Sequence, residues 1–391
     1  MKKKELLFVI GALLICSIFL LTGYIVHNKK EISTPTISVN KNNNFDYKFI
    51  KQIDINNNSL VSPISLAYVL SMIQSGAKEN TLSELNIALD NYELQAMENI
   101  EGKISMANSI WINNKYKNDI NSSYSNALKI NYYSELIYDN FDNVSNINNW
   151  VSQKTYGMIN QLFSDESINS DTVMALLNAI GINFKWEDTF DCNKTYNGKF
   201  LDKNVYMMSS EEIYIESDYY TGFIKNYEKL SDDTQFEFIA LLPKNDVSDV
   251  INNLSNDVIN NSITSDYAKI AIPRFKYEYV VDNLEGILLN LGVKDMFDKE
   301  KANLKGIADD IYVSSIIQKT YIDFMETGTK AAAATGNTYG TSSATVEEIK
   351  YVNFDKPFVY LIRKKGSNNI YFMGTIYDPI EYDENKDVCE G

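Results

Sequence analysis

The order of apolar and polar positions divides this chain into segments that can be assigned in turn. Leu6–Val26 is almost wholly apolar, and about 20 such residues suffice for a helix to cross a hydrocarbon core. After a polar stretch, Asp46–Asp54 opens a folded region as a helix. Ser62 is a good N-cap and Pro63 suits a first helical position, so the apolar run to Ile73 reads as a buried helix. Thr81-Leu82-Ser83-Glu84 has capping-box spacing for another. Ala107–Ile112 reads as a strand and Ile120–Ile130 as an amphipathic helix. In Ile147–Phe163, Ile147, Val151, Ile159 and Leu162 stand at near-helical spacing, interrupted by Gly157. Val173–Phe184 is apolar apart from Asn178 and Asn183, and its shortness predicts a central strand buried on both faces. Asn178 must then find hydrogen-bond partners inside. Strands are expected at Tyr206–Met208, Phe236–Leu242 and Ile270–Phe275, and helices at Asp246–Ile263 and Leu284–Leu291. Phe358–Ile362 and Ile370–Ile376 flank the turn Lys365–Asn369 as a hairpin, and Asp378–Gly391 reads as an acidic tail without fixed structure.

Composition narrows the chemistry. The 391 residues can bury one large core or two ordinary ones. A net charge of −16 disfavours nucleic acid and heparin-like polyanions as partners. Three cysteines, Cys16, Cys192 and Cys389, imply neither a disulfide framework nor a zinc site, and Cys192 is expected as a free thiol. The one histidine, His27, flanks the N-terminal apolar run, so a Ser-His-Asp or Cys-His hydrolase is excluded from the folded region. Ser-Lys and two-carboxylate enzymes stay open. No Walker loop, dinucleotide fingerprint or EF-hand occurs, and no cofactor or metal is expected.

The basic residues 1–5 precede the apolar run. The positive-inside rule therefore puts the N-terminus in the cytosol and the domain outside, on a single-pass anchor over 6–26 followed by a tether over 27–44. The alternative is a cleaved signal segment and secretion.

One stretch near the C-terminal end carries the functional signal. After Tyr321–Phe324, a strand-like run, come Glu326, Gly328, Thr329, Lys330, Ala331, Ala332, Ala333, Ala334 and Thr335, then Gly336–Val346. Four alanines favour helix, yet the bracketing glycines and the following Thr, Tyr and Ser favour extension. The segment has small side chains, no charge between Lys330 and Glu347, and no proline before Pro357. It is chemically able to enter a sheet as an added strand. As a strand, Thr329, Ala331, Ala333 and Thr335 share one face, and Thr329 to Ser342 spans roughly 45 Å.

Several segments together resemble the serpin family. Asn58 with Ser62-Pro63-x-Ser65, the helical run Ile147–Ile159, Val173–Trp186 with Asn178 and Trp186, and Val205–Met208 match in order. So do Pro273, Phe354-Asp355-Lys356-Pro357-Phe358 and Phe372-Met373-Gly374. Glu326 to Thr335 matches the inhibitory hinge. The resemblance covers about Asp46 to Pro379, as a domain over 45–379 with hinge and reactive-centre loop at 326–350 and an acidic tail at 380–391. It departs in having Lys330 where an acid is usual, Gln318 where a histidine is usual, and a short Leu89–Ile104 segment.

The resemblance implies an α+β fold. A large mixed or antiparallel sheet stands beside smaller sheets and a set of helices, and a reactive-centre loop is exposed. It implies a monomeric inhibitor, not an enzyme. A protease would cleave the loop, be caught as an acyl-enzyme, and be carried away as the loop joins the main sheet. The scissile bond is Ser342–Ser343 by spacing from the hinge, or Val346–Glu347 counted back from Phe354. The first suits elastase-like, subtilisin-like or papain-like cysteine proteases. Asn58, Ser62, Ser65, Asn178, Trp186 and Gln318 are implied as the set that gates insertion. The alternative is a non-inhibitory surface binding protein whose loop is only a substrate.

Overall fold

The apolar run around Asn178 forms a strand, Met174–Ile182, with every residue buried, as a strand covered on both faces requires. The computed structural model describes residues 44–92, 94, 103–132, 134–164, 168–329, 349–386 and 388–389. The strands in chain order are β1 (Ser59–Val61), β2 (Ile104–Asn113), β3 (Glu135–Asp139), β4 (Met174–Ile182), β5 (Phe184–Lys185), β6 (Tyr196–Phe200), β7 (Lys203–Glu216) and β8 (Tyr220–Asn226). They continue with β9 (Phe236–Pro243), β10 (Ile263–Pro273), β11 (Phe275–Val280), β12 (Ser315–Met325), β13 (Gly328–Thr329), β14 (Lys350–Asn353), β15 (Phe358–Lys364) and β16 (Ile370–Ile376). The helices are α1 (Asn44–Ile50), α2 (Pro63–Gly76), α3 (Glu79–Leu89), α4 (Ser122–Tyr132), α5 (Ser145–Lys154), α6 (Val247–Asn253), α7 (Asn256–Asn261) and α8 (Leu284–Asn290).

The main sheet runs β3-β2-β4-β12-β13-β5, with β11 also paired to β12. The second sheet runs β1-β16-β15-β9-β8-β7-β10-β14, with β6 on β7. The α+β architecture expected from the sequence is present. Two cores lie against α2 and between the sheets, and a third lies under α5, where Ile147 and Val151 pack on Ala107, Ala175, Leu177 and Ala179. The N-cap of α2 forms as expected, Ser65 N–H donating to the Ser62 hydroxyl.

Local departures have local causes. Ile270–Phe275 is two strands, because Pro273 ends the ladder of β10 and the chain changes sheets at Arg274. Asp246–Ile263 is two helices and the first residue of β10, restarted where Ser255 caps α7. The Thr81 box does not form. α3 already starts at Glu79, and the Thr81 hydroxyl accepts from the Asn303 N–H at 3.0 Å. The tail beyond Asp378 docks rather than hanging free. Ile380 N–H reaches the Arg274 carbonyl at 3.0 Å and Tyr382 N–H the Asn204 carbonyl at 2.9 Å. Cys192 is not a free thiol: it is bonded to Cys389, 197 positions later. A pairing that distant leaves no spacing for sequence reasoning to find.

Leu6–Val26, Cys16 and His27 lie outside the described residues. Among the described residues no helix is long and apolar enough to cross a membrane. The longest, α2, has 14 residues, about 21 Å against a hydrocarbon core of about 30 Å.

Candidate functional site

The seam between β4 and β12 is closed over half its length. The two strands pair in parallel from Ala175 and Ser315 to Ile180 and Thr320. Beneath this half lies a buried row of amides and hydroxyls. Gln318 Nε2 donates to Asn178 Oδ1 at 2.5 Å and to the Ser62 carbonyl at 3.0 Å, and Ser62 N–H donates back to Gln318 Oε1 at 2.9 Å. Asn178 Nδ2 donates to Ser65 Oγ at 2.6 Å and to Asn108 Oδ1 at 2.8 Å, and Ser65 Oγ donates to Asn108 Oδ1 at 3.2 Å. None of these groups is charged, and the amides of Asn178 and Gln318 are fully buried and engaged.

Of the six residues expected to act as one gating set, the structure gathers four here: Ser62, Ser65, Asn178 and Gln318. Asn58 stands elsewhere. Its Oδ1 accepts from the N–H groups of Tyr377 and Asp378 at 2.7 and 2.8 Å, closing the end of β16. Trp186 belongs to the other end of the seam. Asn108 was missed, although it carries the same signal as Asn178, a lone amide in an apolar strand, and the two face each other in register.

Beyond Thr320 the seam holds a wedge. β13 pairs antiparallel on both sides, Thr329 with Phe324 and Phe184, and Gly328 with Met325 and Lys185. Thr329 is fully buried, its hydroxyl 2.7 Å from that of Tyr227. Burial lifts the Tyr227 hydroxyl far above its ordinary range, so it stays protonated. Gly328 (φ +156°) has no room for a side chain: a Cβ would stand 2.1 Å from the Phe184 carbonyl oxygen. Trp186 stacks on Tyr227 at 4.3 Å, donates from Nε1 to the Met325 carbonyl at 2.9 Å, and gives its N–H to the Thr327 carbonyl. Buried Lys225 pairs with Glu212 and sits 4.5 Å from the Phe190 ring centre. Burial raises the Glu212 carboxyl above its usual range, with Lys225 opposing the shift.

Glu326 opens the turn between β12 and β13. Its Oε1 accepts from Arg274 Nε at 2.9 Å, Arg274 Nη2 at 2.6 Å and the Thr195 hydroxyl at 2.5 Å. The sequence singled out Glu326 but neither of its partners. On the outer face of the sheet, α5 and the chain after it form a strap. The Ser105 hydroxyl bonds the Lys154 carbonyl, and Lys319 Nζ reaches the Gln161 carbonyl at 2.6 Å. Trp111 and Trp150 meet edge to face under it. Among the described residues no cluster of His, Cys, Asp and Glu could hold a metal ion. Ala331, Ala332, Ala333, Ala334, Thr335 and both candidate bonds, Ser342–Ser343 and Val346–Glu347, lie outside the described residues.

Residues 40–379 match the family model described as Serpin (serine protease inhibitor). The chain is 28% identical to the intracellular coagulation inhibitor 1 of Tachypleus tridentatus, over 86% of this chain and 88% of that one. It is 28% identical to the leukocyte elastase inhibitor of Bos taurus, over 82% and 93%. The structure is similar to the native state of tengpin, a thermophilic serpin, with a TM-score of 0.77 and 30% identity over 87% of this chain and 94% of that one. These findings correct the expected localisation. A single-pass membrane protein with an outward domain is not supported, since no described helix can span a membrane and the relatives include an inhibitor named intracellular.

Proposed function

The chain belongs to the serpin family, whose members inhibit proteases and are not catalytic enzymes, and from that premise we propose that it traps its target by loop insertion along the β4–β12 seam. The observation that carries this reading is the seated pair Gly328–Thr329, already hydrogen-bonded in register to both walls. Continued in that register, Ala331 would lie between Ile322 and Ile182, and Ala333 between Thr320 and Ile180. Thr335 would lie between Gln318 and Asn178, its hydroxyl taking the place of the contact those amides now make. The walls run out of strand opposite Thr338 and Tyr339, so about ten further residues can be zipped in, a travel of roughly 30 Å.

The chemical step belongs to the protease. Its serine oxygen attacks the carbonyl of Ser342, the Ser342–Ser343 bond breaks, and Ser343 leaves as a free amine carrying the proton. An ester then joins the protease to Ser342. The freed strand enters the seam, gaining roughly 0.5–1.5 kcal/mol net for each new ladder hydrogen bond, before water cleaves the ester. The bland side chain at Ser342 suits serine proteases of elastase or subtilisin type and papain-like cysteine proteases. The elastase inhibitor among the relatives supports the first class.

Incubation with such proteases, followed by a denaturing gel, tests the reading. A band that survives denaturation is expected, at the summed mass without reductant and lower by the mass of residues 343–391 once the Cys192–Cys389 bond is reduced, with the new N-terminus at Ser343. Complete loop cleavage with protease activity undiminished would instead identify a substrate-only binding protein.

A further inference from the structure

The disulfide-bonded tail converges on the turn that begins the wedge. Cys192 opens a short helical turn ending at Thr195, whose N–H bonds the Cys192 carbonyl at 3.1 Å and whose hydroxyl bonds Glu326. Phe190, two residues before Cys192, gives its N–H to the Glu326 carbonyl at 3.0 Å. On the other arm, the carbonyl of Val388, next to Cys389, accepts from Arg274 Nη2 at 2.5 Å, the same nitrogen that holds Glu326. The rest of the tail is laid along Arg274 and its neighbours. Ile380 N–H bonds the Arg274 carbonyl, the Tyr206 hydroxyl donates to the Asp383 carbonyl at 3.0 Å, and Tyr382 packs on Tyr206 with ring centres 4.7 Å apart. The Arg274 guanidinium lies 4.7 Å from the Tyr206 ring centre. Both sulfur-bearing residues are thus one or two bonded steps from one carboxylate, Glu326, at the root of the hinge.

We propose that the Cys192–Cys389 bridge and the tail it closes are a positioning device for the Glu326 turn, holding Gly328–Thr329 seated so that insertion starts from a formed nucleus. The physical case is the geometry of Arg274. It has a buried anionic partner on one side and a backbone carbonyl of the tail on the other, so the tail shares in fixing the guanidinium that holds Glu326. Reduction adds two electrons and two protons, turning the bridge into two thiols while a dithiol reductant becomes a disulfide. The tail arm then loses its covalent tie. Water reaches Arg274, Glu326 loses its fixed donor, and the turn opens more often. A cleaved loop must then form its own first turn, and deacylation gains time.

This inference rests on the proposed insertion mechanism for its consequence, but its first readout does not. Amide hydrogen exchange of Gly328 and Thr329 is compared in the full chain with and without dithiothreitol. The Cys389→Ser variant, measured in both conditions, is the control for other effects of the reductant. A many-fold rise in exchange on reduction, reproduced by the variant without reductant and with no change at Val359–Leu361, is expected. Exchange at Gly328 and Thr329 that is the same in all four samples overturns the proposal. The second readout is the number of inhibitor molecules consumed per protease inactivated, expected to rise several-fold in the reduced chain and in the variant. If exchange rises but this number stays level, the bridge positions nothing that matters for inhibition and the proposal fails there. If no complex forms in any sample, it is the insertion mechanism that has failed, and the exchange result still decides the clamp.

Discussion

The two halves of the β4–β12 seam are held by different chemistry. Around Asn178 and Gln318 the holding groups are neutral amides and hydroxyls laid across three adjacent strands. Around Glu326 they are ion pairs and stacked rings, with Arg274, Lys225 and Trp186 all buried. The difference matters for the proposed insertion, which requires the seam to part. A neutral hydrogen bond can be exchanged for another, such as one to an arriving threonine, without stranding a charge. A buried ion pair separated without replacement leaves an uncompensated charge, at a cost of about 3–5 kcal/mol. Under the proposed insertion, the neutral half would be the one to open and the ionic half the fixed pivot.

The largest effect expected of any single change tests the pivot. Thr329→Arg places a guanidinium where a small, fully buried hydroxyl now meets Tyr227. Burying it there is prohibitive, so the gel-stable complex should disappear and the loop should be cleaved as substrate. Undiminished complex formation in this variant would show that Thr329 need not be seated. Next in size is Trp186→Ala. It removes the ring stacked on Tyr227 and the bond to Met325, and should lower stability by about 3–5 kcal/mol in urea unfolding.

At the neutral half, Gln318→Ala leaves the Asn178 carbonyl oxygen and the Ser62 N–H without their present partner. About 1–3 kcal/mol should be lost, with faster spontaneous loss of inhibitory activity on warming because the seam parts more readily. If the halves act independently, the costs of Trp186→Ala and Gln318→Ala add within about 0.5 kcal/mol. A larger coupling in the double variant would mean that the seam answers as one unit.

A pH control away from both halves is expected to have the least effect on inhibition. Asp46 accepts from the Ile370 N–H at 3.2 Å, and burial pushes its carboxyl from 3.8 up to about 8. The folded protein holds this proton more tightly than the unfolded chain does. Its contribution to stability is therefore complete below pH 4 and is lost as pH rises toward 8, with a slope of at most about 1.4 kcal/mol per pH unit. Asp46→Asn should flatten that slope in unfolding titrations from pH 5 to 8. A slope that persists unchanged in the variant would move the titration elsewhere, with buried Glu212 the next group to replace.

Elements with strong local signals were legible. The strand at Met174–Ile182, the cap at Ser62, the helix at Leu284 and the hairpin Phe358–Ile376 all stand where patterning puts them. β12 was legible only over Tyr321–Phe324. Its lower half carries Gln318 and Lys319, whose polarity hides a strand from patterning; the resemblance alone put Gln318 in a central set, and the structure covers it with β4 and α2 and brings the strap carbonyl of Gln161 to Lys319. The site divided in the same way. Asn178 announced itself as a polar residue in an apolar run, whereas Asn58 shared a motif with Ser62 and turned out to serve a different strand end.

By itself the sequence determined the chain's period, its caps, and the small, uncharged character of the stretch from Ala331 onward. These are properties of neighbours, set by backbone geometry and side-chain size over a few residues. Tertiary structure alone decided that Gly328–Thr329 is seated between β12 and β5, that Asn108 completes the amide row, and that Arg274 and Thr195 converge on Glu326. It also decided that Cys192 meets Cys389. Apart from the turn that lays Gly328–Thr329 on β12, each of these joins residues tens to hundreds of positions apart, brought together by sheet order and burial. Local propensity has no term for such a meeting, because its free energy exists only once the core has formed.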